Sequence, residues 1–144
     1  MNTQDGIALT GKLTISLNDE IVQETENLVV TAGKEWVTAR MKNTSTVMTH
    51  MGIGTGTTAA AIANTALETV KAPRVGLTTS GGTVAGAVIT YACSFPAGAH
   101  TDAITEAGIF TALTGGTMLA RTVFSVVNKG ALDSMTISWA VTIS

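Results

Sequence analysis

Charged and aromatic side chains are scarce in this sequence. Of its 144 residues, 12% are charged and 4% are aromatic, whereas 45% are hydrophobic. Disordered chains combine low hydrophobicity with high net charge, so this composition argues against disorder. The length is sufficient for one hydrophobic core and too short for two. We therefore expect a single domain that comprises residues 1-144.

Cysteine and long apolar runs are also scarce. Cys93 is the single cysteine, which excludes an intrachain disulfide. No apolar run in the sequence approaches the ~20 residues that are needed to span a bilayer. The first residues have neither the basic flank nor the apolar stretch of a signal peptide. We expect synthesis in the cytoplasm and no membrane partner.

Positive charge is limited as well. The chain has eight Lys and Arg against ten Asp and Glu, which gives a formal net charge of -2. Binding to nucleic acid draws on clustered Lys and Arg that displace counterions from the phosphates. We therefore expect no nucleic-acid partner.

Alternation of apolar and polar residues predicts β-strands along most of the chain. It is clearest from Met135 to Ile143, where every second residue is apolar. Other strands are expected at residues 7–17, 21–30, 47–51, 74–79, 84–95, 104–110 and 118–127. Segments 74–79 and 84–95 form the clearest hairpin candidate, and Cys93 falls in the apolar row of the second segment.

Residues 31–43 are the one segment with helical spacing of apolar side chains. We expect Thr31 to cap this helix, and Trp36 and Met41 to lie over an open end or face of the sheet. Strands and helices do not alternate along the chain, so we do not expect a parallel sheet. The sequence therefore predicts a mainly β, single-domain antiparallel β-sandwich, jelly-roll or immunoglobulin-like, with one α-helix near residues 32-43.

Acidic residues are concentrated near the Asn18-Asp19 turn that joins the first two strands. The group comprises Asp19, Glu20, Glu24 and Glu26, and the basic residues Lys34, Arg40 and Lys42 follow on the helix. One interpretation is a solvated outer face. The other is a surface that docks on a basic partner, or head-to-tail on the helix of a neighbouring copy. Residues 1-30 would then form an N-terminal hairpin or arm that contacts partners.

The segment Gly52-Ile53-Gly54-Thr55-Gly56 invites comparison with phosphate-binding loops. A dinucleotide site needs a glycine at position 57 and a helix that opens at once, and a P-loop needs Lys followed by Ser or Thr. Position 57 is Thr, and the Lys-Ser/Thr pair is missing. We interpret the glycines as the start of an irregular loop that continues through Ala-rich sequence to Glu68. We expect no nucleotide and no other cofactor.

Residues able to support catalysis or metal binding form no recognisable set. His50 and His100 are far apart and lack Cys or carboxylate neighbours at zinc-site spacing. Asp102 and Glu106 could form a carboxylate pair, but charges that flank a strand entrance are usually solvated. No Gly-x-Ser-x-Gly motif occurs, and an apolar environment disfavours the thiolate of Cys93. We expect a protein that is not an enzyme, with no catalytic, cofactor-binding or metal-binding residue.

Five blocks of sequence between residues 27 and 144 carry a family resemblance. They are Asn27-Leu28-Val29-Val30-Thr31-Ala32-Gly33, Met51-Gly52-Ile53-Gly54-Thr55-Gly56-Thr57-Thr58, Ile104-Thr105-Glu106-Ala107-Gly108-Ile109-Phe110, Gly116-Thr117-Met118-Leu119-Ala120-Arg121 and the closing strand with Trp139. In order and spacing they resemble a group of small tailed-bacteriophage virion proteins. Members of this group look like head decoration (cement) proteins or tail-fibre-associated proteins. Residues 1–26 lie outside the resemblance.

The resemblance implies a structural subunit without catalytic residues. Its glycines and the Thr105-Glu106-Ala107-Gly108 block would shape the fold, with Glu106 hydrogen-bonded to a neighbouring turn. The expected function is a capsid cement protein that binds the lattice of major capsid proteins on the outer surface of the virion head. Copies would associate as a symmetric oligomer, for example a trimer, after synthesis in the host cytoplasm.

Two other functions remain open. The first is a tail or baseplate structural component, including a fibre-base adaptor, although the sequence has no coiled-coil shaft. The second is a carbohydrate-binding β-sandwich. Such sites usually need exposed aromatic side chains, whereas Trp36, Tyr91 and Trp139 fall in predicted core rows.

Overall fold

The computed structural model describes residues 6–144, so the first five residues of the expected arm lie outside the described part of the chain. The described residues form nine strands and one helix, which confirms a mainly β fold. The elements are β1 (Leu9–Leu17), β2 (Glu20–Val29), α1 (Thr31–Met41), β3 (His50–Gly54), β4 (Val70–Gly76), β5 (Thr83–Ala85), β6 (Val88–Phe95), β7 (Asp102–Phe110), β8 (Met118–Lys129) and β9 (Met135–Ile143). Within residues 6–144, the helix is too short to cross a bilayer.

All nine strands belong to one antiparallel sheet in the order β4-β3-β7-β8-β2-β1-β9-β6-β5. β2 connects its two halves, because residues 20–27 pair with β1 whereas Leu28 and Val29 pair with β8. The sheet curls into a half-barrel. Its ends approach where Thr78, just after β4, donates its backbone N–H to the Ala92 carbonyl of β6 at 2.8 Å. The antiparallel pairing is confirmed, but a sandwich or jelly-roll is not, since one sheet continues around the core.

The hydrophobic core fills the inside of this curl. Trp139 is its largest fully buried side chain. It packs in one cluster with apolar residues from β1, β3, β6, β7 and β8. The alternation predicted for β9 is confirmed, since Met135, Ile137 and Val141 are buried with Trp139 and the residues between them are partly exposed. Cys93 is also buried, as its place in an apolar row predicts.

The glycine-rich segment is a strand rather than the expected loop. β3 begins at His50 instead of residue 47 and includes Gly52 and Gly54. These two glycines pair with Gly108 and Glu106 of β7, and neither has a positive φ. The extended backbone is stabilised by its two neighbouring strands, so the glycines do not mark a turn here.

The hairpin predicted between segments 74–79 and 84–95 is wrong. β4 pairs with β3, whereas β6 pairs with β9 and with the short β5. Gly81 and Gly82 have positive φ angles of 82° and 79°, but they redirect the chain between strands that do not pair. The hairpins predicted for β1 with β2 and for β7 with β8 are confirmed.

The predicted helix is confirmed, but the predicted cap is wrong. Val30 rather than Thr31 occupies the N-cap, and no side chain forms a cap hydrogen bond. The helix contacts the sheet at Gly33, where an added Cβ would overlap the Leu119 carbonyl oxygen of β8. This close approach fixes the start of α1 without a side-chain cap.

The apolar residues of α1 cover the end of the half-barrel only in part. Trp36 and Val37 pack against the core, and the Trp36 indole N–H donates to the Thr46 carbonyl at 2.6 Å. Met41 is 86% exposed, so the prediction that it covers the sheet is wrong. It is the last residue of α1 and lies about one turn beyond the final residue that packs on the core.

The acidic turn between β1 and β2 is fixed to the loop between β8 and β9. Asn18 and Asp19 have positive φ angles of 51° and 66°, as in a two-residue type I′ turn. The Asn18 amide donates to Asp133 Oδ1 at 2.8 Å, and its oxygen accepts the Ser134 N–H at 3.0 Å. β2 runs from this turn to the start of α1, so the turn and the helix lie at opposite ends of the half-barrel.

Candidate functional site

A buried ion pair lies beneath the connection between β3 and β4, residues 55–69. Glu106 of β7 and Arg121 of β8 have side chains that are 0% and 2% exposed. Two guanidinium nitrogens, Nε and Nη2, each lie 3.1 Å from Glu106 Oε1. A buried charge needs a partner of opposite sign and a full set of hydrogen bonds. The 55–69 connection supplies the additional hydrogen bonds.

The Glu106 carboxylate accepts hydrogen bonds from three backbone N–H groups as well as from Arg121. Gly56 and Thr69 donate to Oε2 at 2.7 and 2.8 Å, and Glu68 donates to Oε1 at 2.9 Å. Gly56 lies at the beginning of the 55–69 connection, and the other two residues lie at its end. One carboxylate therefore fastens both ends of the connection to the sheet.

Arg121 fastens the middle of the same connection. Its Nη2 donates to the Thr58 carbonyl at 3.1 Å, and its Nη1 donates to Asn64 Oδ1 at 3.0 Å. The Asn64 oxygen also accepts the Ala61 N–H at 2.8 Å. These contacts satisfy backbone groups of a segment that has no helix or strand of its own.

Two glycines allow the connection to approach the ion pair closely. A Cβ on Gly54 would overlap the Thr69 carbonyl oxygen, and a Cβ on Gly56 would overlap the Glu106 carboxylate. Both positions therefore fit glycine alone. The fold-shaping role expected of these glycines, and the hydrogen bonds expected between Glu106 and a neighbouring turn, are confirmed.

A second carboxylate, that of Glu68, links the two ends of the connection at the surface. Its Oε1 accepts the N–H groups of Thr57 at 2.9 Å and Thr58 at 3.3 Å. The Thr58 side chain, followed by the two backbone N–H groups, lowers the pKa of the Glu68 carboxyl below its ordinary value. Glu68 therefore stays ionised, and keeps these hydrogen bonds, further into acid than a free carboxylate would.

The chemistry of the network favours rigidity over turnover. General acid–base catalysis requires a titratable group within reach of a substrate proton. Glu106 is fully buried, and four donors already engage its carboxylate. A depression of about 360 Å³ lies beside Arg121, but that side chain is committed to Glu106, Thr58 and Asn64. The network is suited to holding the 55–69 connection against the sheet.

The candidate histidines and the cysteine lie apart from this network. The His100 Nε2 lies 2.6 Å from the Pro73 carbonyl oxygen, and the His50 Nδ1 lies 2.7 Å from the Thr49 hydroxyl. Within residues 6–144, no group of three or more His, Cys, Asp or Glu side chains could hold a metal ion. Burial raises the pKa of Cys93 to about 12, which disfavours its thiolate.

Asp102 and Glu106 do not form a carboxylate pair. Asp102 is exposed and forms an ion pair with Lys71 at 3.3 Å. Glu106 is buried against Arg121. The expectation that both carboxylates are solvated is therefore right for Asp102 and wrong for Glu106. The reason is the 55–69 connection, which covers the face of β7 on which Glu106 lies.

Sequence reasoning missed two buried cations, Arg121 and Lys129. The Lys129 Nζ donates to the carbonyls of Pro96 and Ala99 at 2.9 and 2.6 Å, and so holds the loop between β6 and β7. Arg121 has a recognisable signal, because it is the single charged residue in the long apolar segment 118–128. A lone charge within an apolar strand predicts a buried partner.

The acidic group predicted from the sequence is exposed. Its members lie at the β1–β2 turn and along β2: Asp19, Glu20, Glu24 and Glu26. Lys12 of β1 forms an ion pair with Glu24 at 3.3 Å. The basic residues of the helix segment lie at the other end of the half-barrel, where Arg40 donates to the Ser45 carbonyl at 2.6 Å. The fold therefore separates Asp19 and Glu20 from the basic residues of the helix by the length of β2, whereas Glu26 lies in the half of β2 that leads to the helix.

No protein-family model matches the chain, and no curated protein or solved structure matches it either.

Proposed function

We propose that this protein is a non-enzymatic structural subunit of a tailed-bacteriophage virion. Its site would be the outer surface of the head, and its partner the lattice of major capsid proteins. In this role it is a cement or decoration protein, of which many copies bind between capsid subunits. Contacts that are weak singly become strong when several are made at once on a repeating lattice.

One observation carries the proposal: the sequence blocks that resemble virion proteins meet at the buried ion pair. Gly56 comes from the second block, Glu106 from the third and Arg121 from the fourth. Gly56 donates to the Glu106 carboxylate, and Arg121 donates to the same carboxylate. Residues that are distant in the chain therefore act as one unit, as expected if the blocks specify a rigid structural domain.

Two further cationic side chains, the half-buried Arg74 and the buried Lys129, also fasten loops. Arg74 donates to the carbonyls of Ala112 and Gly115 at 2.8 and 2.7 Å, which secures the turn between β7 and β8. Lys129 secures the loop between β6 and β7 in the same way. Cationic side chains that are bonded to loop carbonyls stabilise the shape of the surface. This use of charge supports a role in assembly.

The burial of the aromatic residues favours a structural subunit over a carbohydrate-binding domain. Five of the six aromatic side chains are buried and the remaining one, Trp36, is half-buried: Tyr91, Phe95, Phe110, Phe124, Trp139 and Trp36. A sugar-binding face usually presents an aromatic ring to solvent. The described residues present no fully exposed aromatic ring for this purpose.

Immunolabelling of intact virions tests the proposal. An antibody against the purified protein should label the head surface of the phage that encodes it, at many sites on each particle. Label confined to the tail or baseplate would overturn the head assignment and favour a tail structural component or fibre-base adaptor. Virions that bind an antibody to the major capsid protein but not this antibody would contradict both structural roles.

A further inference from the structure

The two ends of the half-barrel carry opposite charges. The ten residues of β2 separate the acidic turn from the start of α1 by about 33 Å. Within residues 6–144, Asp19 and Glu20 form no ion pair at the end that holds the turn. Lys34 and Lys42 form none at the end that holds the helix. Unpaired charges of opposite sign are therefore presented on separate surfaces.

Exposed aliphatic side chains accompany the acidic charge. The Gln23 side chain spans the gap between β2 and β8, since its amide donates to the Ser125 carbonyl at 2.8 Å and accepts the Ser125 N–H at 3.1 Å. This contact holds the segment around Gln23 beside the segment around Ser125, and the adjoining Val22 and Val126 side chains are 48% and 52% exposed. Ile21, which precedes Val22, is 61% exposed. Aliphatic side chains grouped along one seam are typical of an interaction surface.

The helix offers a matching surface at the other end. Met41 is the most exposed apolar residue of α1, and Lys42 follows it directly. Lys34 precedes Met41 by seven residues, so the two side chains lie on the same face of the helix. Glu35 is the one carboxylate on α1, and the basic residues outnumber it. A flexible methionine between two lysines can adapt to an aliphatic surface that carries acidic neighbours.

We propose that the turn end of one copy docks on the helix of a second copy. The turn patch consists of Glu20, Ile21, Val22 and Val126, and the helix patch consists of Lys34, Met41 and Lys42. In this contact the aliphatic residues cover Met41, and Glu20 faces the lysines. Two different patches at opposite ends of one molecule associate head-to-tail, which produces closed rings or open chains. The inference rests on the proposed function as a subunit present in many copies, and it names one of its partners.

Reversal of the charge at each end tests the contact by sedimentation velocity at low salt. Glu20→Lys makes both patches positive, and K34E/K42E makes both negative because it replaces both lysines of the helix patch. Each of these two variants alone should associate about three- to tenfold more weakly than the natural sequence, because attraction becomes repulsion. The triple variant E20K/K34E/K42E restores opposite charges within one chain. An equimolar mixture of the turn variant and the helix variant restores them between unlike copies, so both samples should recover association.

A matched control separates the contact from a general effect of charge. Thr65 is exposed in the 55–69 connection and belongs to neither patch. Thr65→Lys should leave association unchanged, and all variants should retain the melting temperature of the natural protein. A natural chain that stays monomeric up to its solubility limit at low salt would overturn the inference. Equal association of all the charge-reversal variants with the natural protein, or loss without recovery in the triple variant and the mixture, would overturn it as well.

These outcomes are distinct from those of virion labelling. If the antibody labels virion heads but the charge reversals do not change association, the head-to-tail contact is wrong and the proposed function stands. If association depends on these charges but the protein is missing from virions, the proposed function is wrong, and so is the role assigned to this contact.

Discussion

Arg121 and Glu106 are the residues whose loss should be most costly, because each would leave the other buried without its charge partner. In Arg121→Met, the Glu106 carboxylate keeps three backbone donors but loses the guanidinium. Removal of one partner from a buried ion pair costs about 3–5 kcal/mol. We expect a loss of this size in the free energy of unfolding, measured by urea denaturation.

The exposed pair of Lys71 with Asp102 provides the control for this measurement. Asp102→Asn should change the free energy of unfolding by less than about 1 kcal/mol, since exposed ion pairs contribute little. The variant E106Q/R121M should cost less than the sum of its two single changes, because neither charge is then left alone. Strictly additive losses would show that the two residues do not stabilise one another.

Trp139 provides a second test at the residue scale. It is fully buried, and substitution by alanine would leave a large cavity among the residues of β1, β6 and β9. We expect Trp139→Ala to lower the free energy of unfolding by about 3–5 kcal/mol, and a thermal melt checks this. An unchanged melting temperature would mean that the indole is exposed in solution, which would revive the carbohydrate-binding alternative.

The sequence identifies the interior apolar residues more readily than the interior charges. Alternation is sufficient to place Trp139, because a strand buries every second side chain. The burial of Glu106, in contrast, cannot be predicted from alternation. Its position within β7 does not reveal that residues 55–69 fold over it, and the partner that makes its burial tolerable comes from β8. Long-range contacts of this kind have no local signature beyond a lone charge in an apolar segment.

At the scale of elements, the 55–69 connection depends on glycine at positions that approach the ion pair. A Cβ at Gly56 would overlap the Glu106 carboxylate, whereas a Cβ at Gly76 in β4 would meet no heavy atom within 4 Å. We expect Gly56→Ala to destabilise the protein by about 1–3 kcal/mol through overpacking. The control Gly76→Ala should change stability by less than about 1 kcal/mol. Equal denaturation midpoints for the two variants would contradict the fit described for Gly56.

Glu68 should give the same connection a dependence on acid. A carboxyl with a lowered pKa in the folded state stabilises the protein above its ordinary pKa of about 4.3, and this stabilisation is lost as pH falls through the lowered value. The shift of Glu68 is in this direction. As pH is lowered from 5 to about 2, the melting temperature of Glu68→Gln should therefore fall less steeply than that of the natural protein. Parallel pH profiles for the two proteins would show that Glu68 does not hold the connection.

The strands and the helix are largely predictable, but their partners are less so. Apolar alternation locates β1, β2, β7, β8 and β9, and helical spacing locates α1. The prediction fails at Gly52 and Gly54, because glycine in a strand between two neighbours has the same local sequence as glycine in a loop. It also fails for β4 and β6, whose pairing is decided by strands distant in the chain rather than by the turn glycines between them.

At the scale of the whole molecule, the half-barrel follows from the way that β2 is shared. Its first part pairs with β1 and its last two residues pair with β8, so two ladders become one curled sheet. A sequence pattern predicts which face of a strand is buried, but it does not predict whether neighbouring ladders remain connected. The same arrangement places the acidic turn and the helix at opposite ends. The separation of charge that the head-to-tail contact requires is thus a consequence of the fold.

The thermal stability of virions tests the cement function most directly. Virions that lack this protein should assemble but release their DNA at a lower temperature than complete virions, because subunits bound to the assembled lattice stabilise it by mass action. Addition of the purified protein should restore the higher release temperature. Identical release temperatures with and without the protein, at full occupancy in the complete virions, would contradict the account.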